Sequence, residues 1–235
     1  MRISSLILLV ACVAFLAAPA LTPPFMGYDP ALFPVVIARP AIQPAGYAFA
    51  IWGLIYLWLI VHAAFGLWRR DDVAAWRATR LPLTGAVLLG TVWLAIAPGY
   101  PITATVTIVA MAALALTAYL RADTTPDRWL LSAPLGIFAG WLTAASAVSC
   151  GVIIAGYGWM SNTMTALVLL SVVVLLALWV QARKPMMPTY GLTVVWAIIG
   201  VVRANWADLP AVALPALAAA VVMAGATLAL RLRAD

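Results

Sequence analysis

Tryptophan is the side chain that could do most of the chemistry in this 235-residue sequence, which contains eleven of them. An indole combines a flat apolar face with one N–H donor, so a buried one packs in a core or meets a planar ligand. Phe49, Trp52 and Tyr56 recur at i, i+3 and i+7 and therefore share one helical face. Core packing also produces such stripes, so a packed core and a pocket for a flat apolar ligand remain equal alternatives. Five tryptophans lie inside apolar runs: Trp52, Trp58, Trp93, Trp141 and Trp196.

A later apolar run has a complementary surface. Trp141, Ala145 and Ser149 follow each other at intervals of four and share one face of a helix. A separate row of small residues on the same run is suited to close helix packing: Gly136, Gly140 and Ala144. An aromatic stripe that faces a small-residue surface would leave room for a flat apolar ligand.

Charged side chains are few, and the carboxylates and the lysine lie outside the apolar runs, whereas the histidine lies within the second run. His62 is the only histidine, and a single histidine cannot make a typical metal site. We therefore predict a neutral imidazole that is bonded to a neighbouring helix or placed near a wet boundary. The only lysine, Lys184, lies between runs, which excludes a retinal Schiff base in a helix bundle. Ion-coupled transporters usually keep carboxylates inside the membrane. Every carboxylate here lies in a predicted loop or at a chain end: Asp29, Asp71, Asp72, Asp123, Asp127, Asp208 and Asp235.

Catalytic constellations are absent from the sequence. It has no paired carboxylates, no nucleophile with an adjacent base and no phosphate-binding glycine loop. We therefore predict no enzymatic activity, no catalytic residues and no metal site. Arg203, with Asn205 and Asp208, could contact an anionic ligand, but we favour a snorkelling arginine paired with Asp208.

The elements that must position these residues are membrane-spanning helices. Two-thirds of the residues are hydrophobic and 9% are charged, whereas soluble domains are about half apolar and a quarter charged. Runs of about 20 apolar residues can span a bilayer as helices. We predict an all-α polytopic bundle with eight spans, at about 4–21, 46–68, 81–97, 102–120, 130–154, 163–182, 190–206 and 210–231.

Charge placement supports this count. With a cytoplasmic N-terminus, eleven basic residues fall on the inner side and only Arg39 and Arg203 on the outer side. Such a bias is typical of a multi-pass membrane protein and not of a nucleic-acid-binding protein. We expect a bacterial inner membrane and a cytoplasmic C-terminus. The inner residues are Arg2, Arg69, Arg70, Arg77, Arg80, Arg121, Arg128, Arg183, Lys184, Arg231 and Arg233.

The first run and the segment after it need separate interpretations. Residues 1–20 end in Ala18-Pro19-Ala20, as a cleaved signal peptide would, but the run continues to Leu21 and we favour a retained helix. The connection at about 22–45 is rich in proline and aromatic residues. Proline stiffens such a segment, so we expect a loop packed over the helix ends.

The run from Pro44 to Tyr56 resembles the translocator protein / tryptophan-rich sensory protein family. That family has a proline, an aromatic residue, a phenylalanine, a tryptophan three positions on and a tyrosine four beyond. These correspond here to Pro44, Tyr47, Phe49, Trp52 and Tyr56.

Two further predicted helices match the family in part. Trp93 resembles the tryptophan of the family's third helix, although Gly90 and Ala95 stand where the family has Asn and Pro. Trp141 and Ala145 match its Trp-x-x-x-Ala pattern.

The resemblance covers roughly residues 1–155 and implies a five-helix bundle that binds porphyrins, other tetrapyrroles, sterols and synthetic aromatic ligands under the first loop. We predict a family-like core at 1–155 and a three-helix extension at 156–235. The extension could enlarge the pocket, form a homodimer surface or have its own role. We expect that no cofactor is required. The expected ligand is a porphyrin or haem-like molecule that binds to a site within the bilayer. The predicted site residues are Tyr47, Phe49, Trp52, Tyr56, Trp93, Trp141, Ala145 and Ser149.

Two other functions stay open. A transporter or exporter of a small uncharged or amphipathic solute could work without an intramembrane carboxylate, using glycine and proline breaks as mobile elements. A structural membrane subunit would use the aromatic residues for packing alone.

Overall fold

The part of the chain that the structure describes folds into eight α helices. The computed structural model describes residues 2–23, 25, 27–125 and 127–234; Met1, Pro24, Met26, Pro126 and Asp235 lie outside the described residues. The described part contains no strand, which confirms the all-α prediction. The helices are α1 (Arg2–Leu21), α2 (Ile51–Arg69), α3 (Ala74–Ile96), α4 (Pro101–Arg121), α5 (Ser132–Gly156), α6 (Asn162–Arg183), α7 (Thr189–Asn205) and α8 (Pro210–Arg233). Two short 3₁₀ helices, Pro30–Leu32 and Gly46–Ala50, lie between α1 and α2.

These helices are those of an integral membrane protein. Seven of the described helices are long and apolar enough to cross a membrane; the eighth, α7, has 17 residues. That length is at the lower limit for a span. The six aspartates that the structure describes all lie outside the helices.

Five helices form a ring and three form a second layer against it. The ring runs α1, α2, α5, α4, α3 and back to α1. In the second layer α7 packs on α5, α8 packs on α7, and α6 lies against both α5 and α8. Buried residues from both layers form one continuous hydrophobic cluster. The division into a core at 1–155 and an extension at 156–235 stays a prediction.

The connections gather at two ends of the bundle. At the basic end, which carries Arg2 and the α2–α3 loop, Arg70 pairs with Asp127 of the α4–α5 loop and Lys184 donates to the Ala122 carbonyl. The opposite end is called the loop end because it carries the long α1–α2 connection. There Val35 N–H donates to the Gly156 carbonyl over 2.9 Å, so this connection covers the end of α5 as predicted.

Helix α3 begins seven residues earlier than predicted, at Ala74 instead of position 81. The predicted span contains only the apolar run that follows Arg80. In the structure the Arg80 guanidinium lies 3.2 Å from the Asp71 carboxylate, and its Nη2 donates to the Arg70 and Asp71 carbonyls. The loop before the helix therefore satisfies the charge, and the helix can include it.

The predicted small-residue row is the surface on which α7 packs. A Cβ at Gly140 would lie 2.8 Å from the Tyr190 carbonyl oxygen, and one at Gly136 would meet the Thr189 hydroxyl. Close approach of the two backbones requires glycine at these positions. The prediction of close helix packing is confirmed, but the row faces α7 and is not the wall of a pocket opposite the aromatic stripe.

Candidate ligand-binding site

The residues before α2 run down the side of α7 into the bundle. This descending segment, residues 39–50, donates from Ala45 N–H to the Gly200 carbonyl over 2.9 Å. Nε1 of Trp196 in turn donates to the Ala48 carbonyl over 3.0 Å. Non-helical backbone at membrane depth must have its polar groups satisfied by protein. Helix α7 supplies the partners of the Ala45 N–H and the Ala48 carbonyl. The segment can therefore enter the bundle, and it places Phe49 and Trp52 there.

Two asparagines hydrogen-bond to the start of the descending segment, at residues 39–41. Asn162 accepts from Ala41 N–H and donates to the Arg39 carbonyl. Fully buried Asn205 donates to the Ala41 carbonyl over 2.8 Å and accepts from the Arg39 guanidinium over 3.0 Å. The predicted pairing of Arg203 with Asp208 is wrong. The ion pairs in the described part of the chain are Arg70–Asp127 and Arg80–Asp71. Arg203 is exposed, while Arg39 makes the contact to this end of α7.

An aromatic cluster forms where α2 meets α1 and α5. The Trp52 and Tyr56 rings stack with centroids 5.4 Å apart, as their shared face predicts. Trp141 of α5 presents its ring edge-on to Phe49 at 5.5 Å and to Trp52 at 6.2 Å. Four of the eight predicted site residues therefore meet. Phe15 of α1 and Phe138 of α5 complete the cluster. Edge-to-face and stacked pairs at these separations are stabilising.

Trp141 carries an unusual polar group in this apolar cluster. Its side chain is 2% exposed, and its Nε1–H has no hydrogen-bond partner among the described residues. A buried donor without an acceptor costs about 1–3 kcal/mol. A ligand that brings an acceptor oxygen or nitrogen between the rings would remove that cost.

Two further predicted residues, Trp93 and Ser149, lie at the loop end, and we call this pair the rim. Trp93 of α3 donates from Nε1 to the Ala104 carbonyl of α4 over 2.9 Å, and Phe25 of the loop packs edge-on against its ring at 5.0 Å. Ser149 of α5 is buried, and its hydroxyl lies 3.4 Å from the Tyr28 hydroxyl. The α1–α2 connection therefore covers both residues.

The last two predicted residues lie apart from these contacts. Ala145 is half-buried on α5, one turn after Trp141 and one turn before Ser149, and connects the cluster with the rim along one helix face. Tyr47 is 45% exposed and packs edge-on against Trp196 at 5.4 Å. The sequence interpretation missed Phe15 and Trp196 as partners. Each belongs to a run without a second aromatic residue at helical spacing, so no local pattern marked them.

His62 lies at the basic end, away from the aromatic cluster. Its imidazole is buried, hydrogen-bonds to the Leu130 carbonyl over 2.8 Å and stacks on Trp76 at 4.8 Å. This hydrogen bond goes to the turn before α5 and not to a neighbouring helix. Within the described residues no group of three or more His, Cys, Asp or Glu side chains could hold a metal ion.

Trp76 also takes part in an ion-pair network at the membrane boundary. Asp127 accepts from Nε of Arg70 over 2.6 Å and from Nε1 of Trp76 over 3.1 Å. The hydrogen bond from Arg70 is the main cause that lowers the pKa of the Asp127 carboxyl. The network ties the α2–α3 loop to the α4–α5 loop.

An all-helical bundle in which seven of the described helices are long and apolar enough to cross a membrane defines an integral membrane protein. The sequence model of the TSPO-like protein family matches residues 35–229. The chain therefore belongs to the TSPO-like protein family, which confirms the resemblance. The match begins after α1 and continues through most of α8. Comparisons with curated proteins and with solved structures found no match.

Proposed function

We propose that this protein binds a planar hydrophobic ligand, such as a porphyrin or another tetrapyrrole, and acts as a membrane sensor for it. The observation that carries the proposal is the buried Trp141 N–H, which lacks an acceptor inside an aromatic cluster. A tetrapyrrole has a broad apolar face for Trp52 and Tyr56, and its nitrogens or carboxylates are acceptors. Membership of the TSPO-like family supports the same class of ligand.

Affinity in such a site would come from apolar burial and ring stacking. The rings of Phe49, Trp52, Tyr56 and Trp141 supply these contacts, with one polar contact at Trp141 for orientation. Trp93 and Ser149 would contact the ligand at the rim below the α1–α2 connection. We propose binding without turnover, because none of the six aromatic side chains of the cluster is a carboxylate, histidine, cysteine or lysine.

The setting that we propose is a bacterial inner membrane with a cytoplasmic C-terminus. Eleven of the thirteen basic residues belong to the end of the bundle that carries Arg2 and Arg233, and such residues concentrate on the cytoplasmic side.

Titration of the full chain in detergent with protoporphyrin tests the proposal. The readouts are the shift of the porphyrin absorption band and quenching of tryptophan fluorescence. We expect saturable binding at micromolar ligand or below, weakened about tenfold by Trp52→Ala through loss of one stacking contact. Trp179→Phe is the matched control, since Trp179 is exposed on α6 and packs under Arg183.

Linear quenching that is equal in the wild type, Trp52→Ala and Trp179→Phe would mean partition of the porphyrin into the micelle and would overturn the proposal. Saturable binding that Trp52→Ala leaves unchanged would keep a binding function but remove this cluster as its site.

A further inference from the structure

We propose that the Phe15 side chain closes the ligand pocket, and that a hydrocarbon edge of the bound ligand takes the place of the Phe15 ring. This inference rests on the proposed function. It adds a residue of α1, which the TSPO-like match does not cover, and it gives the ligand an orientation.

The Phe15 ring lies at the centre of the helix ring. Its side chain is 3% exposed, and its centroid lies 4.9 Å from Tyr56, 5.9 Å from Trp52 and 5.9 Å from Phe138. Trp52 and Tyr56 are themselves half-buried. Phe15 therefore covers the inner side of the aromatic stripe, the side that a ligand enclosed by the ring would use.

The opposite side of Phe15 is made by a glycine. A Cβ at Gly90 of α3 would lie 2.5 Å from Cε2 of Phe15 and 2.9 Å from Cε of Met111 of α4. Only a residue without a side chain leaves room for a phenyl ring at this point. One ring thus fills the space on which α1, α2, α3, α4 and α5 converge.

Removal of this ring would leave a cavity with apolar and aromatic walls. Cavities of that kind stay dry and take up small aromatic molecules. The ligand edge that enters this space should be hydrocarbon, because Phe138 and Gly90 have no polar side-chain group and the Met111 thioether is only a weak acceptor. The acceptor-bearing edge of the same ligand would meet Nε1 of Trp141. The class of ligand is therefore a planar molecule with one apolar edge and one edge that bears acceptors.

The test compares Phe15→Ala with the wild type, both as full chains whose intact mass shows that residues 2–20 are present. Phe65→Ala is the control, because Phe65 is a half-buried ring that packs on Trp76 at the basic end. Toluene is the first probe and melting temperature its readout. We expect toluene to raise the melting temperature of Phe15→Ala and to leave the wild type and Phe65→Ala unchanged.

Protoporphyrin is the second probe. We expect Phe15→Ala to bind it at least tenfold more tightly than the wild type, because the ligand no longer has to displace a packed ring. Phe65→Ala should keep the wild-type affinity. Phe15→Leu removes the ring but keeps more apolar volume, and the same direction of change is expected if the alanine variant does not fold.

The outcomes separate the two proposals. Saturable porphyrin binding that Phe15→Ala leaves unchanged or weakens would overturn the role of Phe15 and keep the proposed function. Absence of toluene stabilisation in Phe15→Ala would likewise overturn it, since no cavity would have opened. Absence of saturable porphyrin binding in every variant would overturn the proposed function and this inference with it.

Discussion

Gly200 of α7 lies directly against Pro44 of the descending segment: a Cβ on the glycine would be 2.7 Å from the proline Cβ. The same built atom would lie 3.1 Å from the Ala48 Cβ. Helix α7 is therefore the surface on which the segment before α2 rests. Because that segment delivers Phe49 and Trp52 to the aromatic cluster, a helix of the predicted extension determines the position of residues in the predicted core.

Gly200→Ala is expected to move the descending segment. The added methyl group overpacks a buried contact, which typically costs about 1–3 kcal/mol of unfolding free energy. Displacement of Phe49 and Trp52 should also weaken porphyrin binding severalfold. Thermal melting and the porphyrin titration measure the two effects. Gly225→Ala on α8 is the control, since a Cβ there meets nothing within 4 Å. Equal behaviour of the two alanine variants would contradict the close contact.

Asn205→Ala is expected to loosen the start of the descending segment, at residues 39–41. The change removes the donor to the Ala41 carbonyl and the acceptor for Arg39. Loss of a partner for buried polar groups costs about 1–3 kcal/mol, so the melting temperature should fall by several degrees. Arg203→Gln, two residues earlier and exposed, should leave it unchanged. A larger effect of Arg203→Gln than of Asn205→Ala would contradict this role of Asn205.

Trp141→Phe and Trp93→Phe are expected to differ in their effect on stability. Phenylalanine at 141 removes a buried N–H that has no acceptor, so the melting temperature should not fall, while porphyrin binding should weaken. Phenylalanine at 93 removes a donor that the Ala104 carbonyl already accepts, so stability should fall by about 1 kcal/mol. A loss of stability in Trp141→Phe without a change in affinity would show that the indole is a packing residue only.

The sequence predicts the helices well because each is a long apolar run bounded by proline, glycine or charge. It also predicts the meeting of Trp52 and Tyr56, since helical spacing determines which side chains share a face. The start of α3 could not be predicted, because the partners of Arg80 are loop carbonyls whose position depends on the folded α2–α3 connection.

Contacts between distant helices account for the rest of what the sequence did not predict. Phe15 meets residues of α2 and α5 far away in the chain, and Trp196 meets Ala48 across 148 positions. Periodicity reports which residues share a face of one helix, not which helix lies opposite that face. The pairing of Arg39 with Asn205 in place of Arg203 with Asp208 has the same origin, since it requires the descending segment to lie along α7.

Asp127→Asn is expected to lower stability in a pH-dependent way. The Arg70 guanidinium holds the pKa of this carboxyl below its ordinary value of 3.8, so the folded protein favours the ionised form. A lowered folded-state pKa contributes stability that is fully present above the pKa of the unfolded state. That contribution is lost as the pH falls through the folded-state pKa.

The melting temperature of Asp127→Asn should therefore lie below that of the wild type near neutral pH. The difference should begin to shrink below about pH 4 and should vanish only when the pH lies below the folded-state pKa, where the wild-type carboxyl is protonated in both states. Asp208→Asn is the control, because Asp208 is exposed at the loop end and should show no difference at any pH. A difference for Asp127→Asn that persists unchanged at low pH would mean that the side chain acts through its shape and its bond from Trp76, not through its charge.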